Sequence, residues 1–482
     1  MQPGRISMSR EKKGWSLVLL GLLLAVAAAG LGYATLYLDL AGIYLGAGVI
    51  GLVMVGICMI DPAASLMINL AFSFSAAHLS RWLTHDAFPV GVVSDVLIYA
   101  TLLGYLIRRV PLGPTFRSFV HSPVVVFFLV YLGFGLLEAF NINARSTSGW
   151  FVGIRKMTST YMLLFIAYEV FKDKQQIWRF IRFTFWGCVV LGLYACVQQA
   201  VGLFGFERDW VMSDDIRFGL IFIDGDFRKF SMLSSPMIFG LLMAAMVVFY
   251  FIVSIPEKGR AAWVTRLGLL PMLLGMLYSG TRTANFIMVV GLGLYILLTI
   301  DKKGSRILAG IAVFFMLFVL YVPIYTNATL NRFRSTFQGT QDQSYLVRET
   351  NRHYIQPYIW SHPIGGGLCT TGEAGRQYNP GHYLAGFPTD NDYLTKALET
   401  GWIGLILIFW LYFLVMRTGI RAYFQVTDPR EKYLAAAITC CLFCYYVASY
   451  TQIALGSLSD IVIYYPFIAI LVRLTEPARP SS

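Results

Sequence analysis

Charge is what this sequence has least of. Only 13% of its 482 residues are Asp, Glu, Lys or Arg, while 57% are hydrophobic and 15% aromatic. A soluble domain carries about a quarter of its residues as charges, so a water-facing surface is excluded for most of the chain. The mean hydropathy of +0.63 agrees. In hydrocarbon every backbone polar group must be bonded within its own segment, and apolar runs of about twenty residues are the length of a spanning α-helix. The expected fold is an all-α polytopic membrane protein.

Acids are scarcer than bases, 26 against 38, which leaves a net charge of +12. In a soluble protein that excess would suggest nucleic acid, but here basic cytoplasmic loops that orient the helices account for it. No nucleic-acid partner is expected. Cysteine patterns are lacking too. Six of the seven cysteines lie in apolar runs and only Cys369 in a polar one, so neither a disulfide framework nor a zinc spacing is present. Cys440-Cys441-x-x-Cys444 reads as small helix-packing residues. His353, His362 and His382 have no tight ligand spacing, and no metal or cofactor is expected. There is no internal repeat.

The apolar runs that are present start with Trp15 to Leu38, preceded by Arg5, Arg10, Lys12 and Lys13 as in a signal-anchor with a cytoplasmic start. Further runs lie near 42–60, 63–80, 90–107, 122–140, 157–171, 181–203, 231–254, 267–280, 284–300, 306–325, 402–416, 433–452 and 458–472. The expected count is about 12–14 spans, with both termini cytoplasmic. About eleven spans fill residues 1–325, one long periplasmic loop with short helices fills about 326–401, and the last spans with a short tail fill 402–482. Alternate connections carry the cations that topology requires, for example Lys172, Lys174, Arg179 and Arg182, and later Lys302, Lys303 and Arg306.

The exterior connections depart from that rule. They carry twelve arginines, among them Arg217, Arg228, Arg282, Arg348 and Arg352, against three lysines, Lys156, Lys229 and Lys396. Orientation alone calls for few cations there and for no preference for Arg. A planar guanidinium fork suits bidentate contact with phosphate or carboxylate. An anionic ligand on the exterior face is the inference.

Arg282 lies in Ser279-Gly280-Thr281-Arg282-Thr283 between two apolar runs with almost no loop. A cation at that boundary is either an interfacial anchor or a phosphate contact surrounded by short hydroxyl donors. Arg228 abuts a span that carries Pro236; most of the other charges between Phe204 and Phe230 read as a solvated loop. Arg348 and Arg352 are four apart, so a short helix would set both on one face, where like charges cost a few tenths of a kcal/mol unless an anion relieves them. Asp390 and Asp392 precede a helical pattern at Leu394, Ala397 and Leu398. One acid can cap that helix, which leaves the other to act as a base.

In this order and topology the motifs resemble the O-antigen ligase and polymerase superfamily of integral-membrane glycosyltransferases. The resemblance rests on Arg228 followed by Pro236, on Ser279-Gly280-Thr281-Arg282, on Trp360-Ser361-His362-Pro363-Ile364-Gly365-Gly366-Gly367, and on Asp390-Asn391-Asp392-Tyr393-Leu394 leading to Glu399-Thr400-Gly401-Trp402-Ile403-Gly404. It implies a metal-independent, inverting transfer of a glycan from an undecaprenyl-diphosphate carrier to a hydroxyl of lipid A core or another glycan. That transfer would occur on the periplasmic face of the bacterial inner membrane. The phosphate-binding arginines would fall on Arg228 and Arg282, and the family's histidine before Asn-x-Tyr-Leu on Asp390, the expected base. Arg348, Arg352, Arg217, Asp392, Tyr393 and His382 are the expected substrate contacts, with Tyr345 and Tyr378 as further sugar-stacking rings. The departure at Asp390 weakens the ligase reading, which stays first, relative to its alternative, a polymerase of lipid-linked repeats. A lipid-linked-glycan flippase is the rival class, but acids within spans are sparse, with Asp95, Glu138 and Asp460 the plain cases.

Overall fold

The computed structural model describes residues 39–84, 90–108, 114–223, 225–321 and 343–476. The first expected span, 15–38, falls outside them, as do the side chains of Tyr345 and Arg348. The helices run α1 (Asp39–Ile60), α2 (Pro62–Thr84), α3 (Val90–Ile107), α4 (Pro114–His121), α5 (Pro123–Leu137, then a 3-10 turn Glu138–Phe140), α6 (Thr147–Val170) and α7 (Lys174–Val201). Two short helices follow, α8 (Gly205–Met212) and α9 (Asp215–Ile221), and then a hairpin of β1 (Phe222–Ile223) and β2 (Asp226–Phe227) that pairs Phe222 with Phe227. Next come α10 (Pro236–Ser254), α11 (Gly259–Tyr278), α12 (Arg282–Leu298) and α13 (Lys303–Tyr321). The chain closes with α14 (Gln343–Ser361), α15 (Gly372–Tyr378), α16 (Asp392–Glu399), α17 (Gly401–Gln425), α18 (Pro429–Ala448) and α19 (Leu458–Thr475).

Every expected span from 42 onward coincides with a helix, and eight of the described helices are long and apolar enough to cross a membrane. This is an all-α polytopic membrane protein. α10 is apolar all round and 83% of its span is buried, so it forms the centre of the bundle, against α7, α11, α12 and α18. Helix starts follow local chemistry: Ser235 and Asp428 accept bonds from the amides of Ile238 and Arg430, and each is followed by proline at the first helical position.

Contacts sort the helix ends into two sets. At one end, Lys174 pairs with Glu431, Arg473 donates to Tyr168 O and Glu476, and Lys302 reaches the Tyr433 hydroxyl (3.3 Å). These cations belong to the connections expected to be cytoplasmic. At the other end, the α5–α6 turn, the hairpin, the α11–α12 turn, α16 and the α18–α19 turn come together.

Three expectations need correcting. α6 begins at Thr147, ten residues before the expected 157, so Arg155 lies inside a helix and forms an ion pair with Asp95 of α3. That answers the cost of both charges at membrane depth. Phe204–Phe230 is a folded unit, because Val211, Ile221 and Phe230 bury one another and Arg81 of α2 lies 4.0 Å over the Trp210 ring; Glu207 and Lys229 are buried in it, while Arg208, Asp209, Asp214, Asp215 and Asp226 are exposed as expected. The span expected at 231 starts at Pro236.

Candidate active site

Arg228 leaves the hairpin and donates from Nε to Ser279 O (2.9 Å), from Nη1 to Leu220 O (3.1 Å) and from Nη2 to Thr281 Oγ1 (2.9 Å). These bonds fix the plane of the guanidinium. The Thr281 hydroxyl itself donates to Pro236 O (3.0 Å), and Lys229 N donates to Tyr278 O (3.0 Å). Gly240 allows this closeness, since a Cβ there would lie 2.4 Å from Ser279 Oγ. The Arg228…Pro236 and Ser-Gly-Thr-Arg motifs are therefore one structural unit. Arg282, exposed, starts α12 immediately beside it.

From α12 the connection runs to the α18–α19 turn, where Thr283 Oγ1 lies 3.1 Å from Thr451 Oγ1. Arg352 of α14 lies over the Tyr450 ring (4.8 Å) and donates to its hydroxyl (3.2 Å) and carbonyl (3.3 Å). Asp392 N donates to Ser449 O (3.1 Å) and Gln452 O (3.3 Å). Ser449–Gln452 thus joins the arginine side of the site to the aspartate side. The sequence reading did not single it out; its only signal is a short polar run between two apolar ones.

Asn391, and neither aspartate, caps α16, accepting from Leu394 N (2.7 Å). Asp392 is buried, and burial raises its pKa, opposed by Lys396, the Leu455 amide and the Ser449 hydroxyl. Asp390 stays half-buried just outside the helix.

The glycine-rich and Glu-Thr-Gly motifs also meet. Gly366 N donates to Leu398 O (2.8 Å), Gly367 N to Glu399 O (2.9 Å) and Ile403 N to Pro363 O (3.3 Å). Only glycine fits at Gly401, where φ is +68° and a Cβ would lie 1.9 Å from Pro363 O. The α5–α6 turn clamps this loop from the far side: Asn143 donates to Gly365 O (2.8 Å) and Arg145 to Gly381 O (2.7 Å).

The other expected contacts lie as follows. His382 is buried, with Nε2 donating to Asn143 O (3.1 Å) and Nδ1 accepting from Leu384 N (3.1 Å). Burial lowers its pKa, the Asn143 carbonyl opposing and Arg145 and His362 reinforcing. Tyr393 donates to Tyr446 O (2.7 Å) and stacks on Phe409 (4.8 Å). Arg217 lies 4.2 Å over Trp210 and donates to its carbonyl (2.6 Å). Tyr378 is half-buried, and its carbonyl accepts from Ser148 Oγ (3.0 Å). Among the described residues no group of His, Cys, Asp and Glu is placed to hold a metal ion.

Fold and site together define a multi-pass helical membrane protein with an arginine-bearing site at one end of its bundle. Residues 267–409 match the family described as O-Antigen ligase, which supports the O-antigen ligase and polymerase superfamily for this part of the chain. The match runs from α11 into α17 and takes in Arg282, Arg352 and Asp390, while Arg228 precedes it. No curated protein matches the chain.

Proposed function

We propose that the protein is a glycosyltransferase that moves a glycan from an undecaprenyl-diphosphate carrier to an acceptor hydroxyl on the periplasmic face of the bacterial inner membrane. The observation that carries this reading is the immobilised Arg228 guanidinium on the Ser279–Thr281 turn, next to Arg282 at the start of α12. Displacing a sugar from a diphosphate develops negative charge on the leaving oxygens, and cations already held in place stabilise it without reorganising. The acceptor oxygen attacks the anomeric carbon from the face opposite the diphosphate. The bond to the leaving oxygen breaks, the configuration inverts, and Asp390 takes the hydroxyl proton within about 2.6 to 3.2 Å. No metal takes part in this scheme.

Arg352 and Arg217 extend the cationic face towards the glycan and the diphosphate, and Arg348, four residues before Arg352, is a further substrate contact. Asp392, Tyr393 and His382, held by backbone contacts, position the loops that carry Asp390. An aspartate at 390, where the family's ligases carry histidine, favours as second reading a polymerase that joins lipid-linked repeats.

The test is glycan transfer in membranes that contain the lipid-linked donor, comparing wild type with Arg282→Ala and Asp390→Ala at matched protein levels. Loss in both supports the site. A single capped acceptor marks a ligase and a ladder of repeats a polymerase; unchanged product in both variants overturns the assignment and puts a flippase first.

A further inference from the structure

Outside this site, α14 presents an aromatic column. Tyr354 and Tyr358 lie four apart on one stripe of the helix, and His362 follows at the same spacing just beyond its end at Ser361. The His362 ring stacks on Tyr358 at 3.9 Å and 10°, and Tyr358 on Tyr383 of the following loop at 5.5 Å and 19°. The Tyr383 hydroxyl donates to that of Tyr354 (3.3 Å). The foot of the column is fixed, since His362 Nδ1 donates to Tyr358 O (2.9 Å) and a Cβ on Gly366 would lie 2.9 Å from the Tyr358 hydroxyl. Its top is open: Tyr383 is 60% exposed and Tyr354 65%, although one face of Tyr383 is already covered by Tyr358.

We propose that this column is a glycan-binding platform on which the outer face of Tyr383 stacks against the C–H face of a sugar ring, with the Tyr354 and Tyr383 hydroxyls bonding its substituents. This rests on the glycosyl-transfer reading, which brings a glycan to this end of the molecule. Three features favour a sugar over a lipid chain or a protein side. The exposed rings are tyrosines, flat apolar faces with a polar tip. The column lies in the polar stretch between α13 and α17, which is rich in Arg, Asn, Asp and Tyr. It also stands on the same helix as Arg352, whose side chain reaches the Tyr450 turn of the site. A ring held in a column has already lost its rotamer freedom, so covering its free face costs little further order.

The experiment uses the full chain in nanodiscs and, as probe, the repeat-unit oligosaccharide released by mild acid from the host's own lipid-linked donor. Saturation of protein aromatic protons should transfer to the sugar C–H protons in wild type. Tyr383→Ala should weaken oligosaccharide binding about five- to tenfold, equivalent to about 1 to 1.4 kcal/mol, and raise KM for the donor by a similar factor at unchanged kcat. Tyr354→Ala should do so to a smaller extent, and Tyr383→Phe, which keeps the ring face, should restore most of the binding. Wild-type saturation transfer in Tyr383→Ala, no restoration by Tyr383→Phe, or transfer to lipid chains instead of the oligosaccharide would each overturn the platform. The glycosyl-transfer reading fails separately, on unchanged product in both Arg282→Ala and Asp390→Ala, because oligosaccharide binding is measured without turnover.

Discussion

Thr281→Val is the sharpest small perturbation of the site. Valine keeps the shape of threonine and removes one hydroxyl, which accepts from Arg228 Nη2 at 2.9 Å and donates to Pro236 O at 3.0 Å. Thr281 is 4% exposed, so water does not replace the lost oxygen. A bond to a charged donor contributes about 1.5 to 3 kcal/mol and a neutral one about 1 kcal/mol. Arg228 retains its bonds to Ser279 O and Leu220 O, so the guanidinium swings about them and is not released. If roughly 1.4 to 2.5 kcal/mol of the lost positioning falls on the transition state, transfer slows about 10- to 70-fold. Single-turnover transfer from the lipid-linked donor reads this directly, with thermal unfolding in detergent as control. Thr281→Ser, which restores the oxygen, should recover most of the rate. A Thr281→Val protein that transfers at the wild-type rate, or a Thr281→Ser protein as slow as Thr281→Val, would refute the claim that this hydroxyl sets the arginine.

Gly401→Ala should lower the melting temperature and the yield of folded protein, since its Cβ meets Pro363 O and a left-handed alanine costs about 1 kcal/mol before any clash. An unchanged melting curve would contradict this. Breaking the Arg155–Asp95 pair with Arg155→Leu should cost about 3 kcal/mol, less at so partly exposed an arginine than at a buried one, and Arg155→Leu with Asp95→Leu should recover most of it; denaturant unfolding of the single and double variants measures both. His382 has a folded-state pKa below its unfolded value, so its contribution is present above about pH 6.5 and is lost as the pH falls towards the folded pKa. Hydrogen exchange in residues 379–387 should therefore speed up more between pH 7 and pH 5 in wild type than in His382→Gln, after correction for intrinsic exchange rates.

The spans are legible in the sequence because one constraint dominates them: backbone groups in lipid must bond locally, so a twenty-residue apolar run is a helix whatever its neighbours do. The meeting of Arg228 with Ser279–Thr281 is legible in part, as motifs at the same ends of alternating spans. Pairings that depend on distant neighbours are hidden. Nothing near Arg155 announces Asp95 sixty residues earlier. The choice of Asn391 over Asp390 as helix cap depends on a single backbone step. The helices of 205–221 are too short for an apolar period to emerge, and their stability comes from burial against Phe230. The Ser449–Gln452 turn reads as a loop between two spans, and its contacts with Asp392, Arg352 and Thr283 appear only once the helices are assembled.

The central claim, that this chain transfers a glycan using arginines fixed on the diphosphate, is tested most directly by the leaving group. Purified protein in liposomes with the lipid-linked glycan and its acceptor should release one polyprenyl diphosphate for each glycan transferred. Arg228→Lys and Arg282→Lys keep the charge and lose the fork, and each should slow release by about 10²-fold or more. Release at the wild-type rate in both lysine variants, or none from the wild-type protein, would contradict the account.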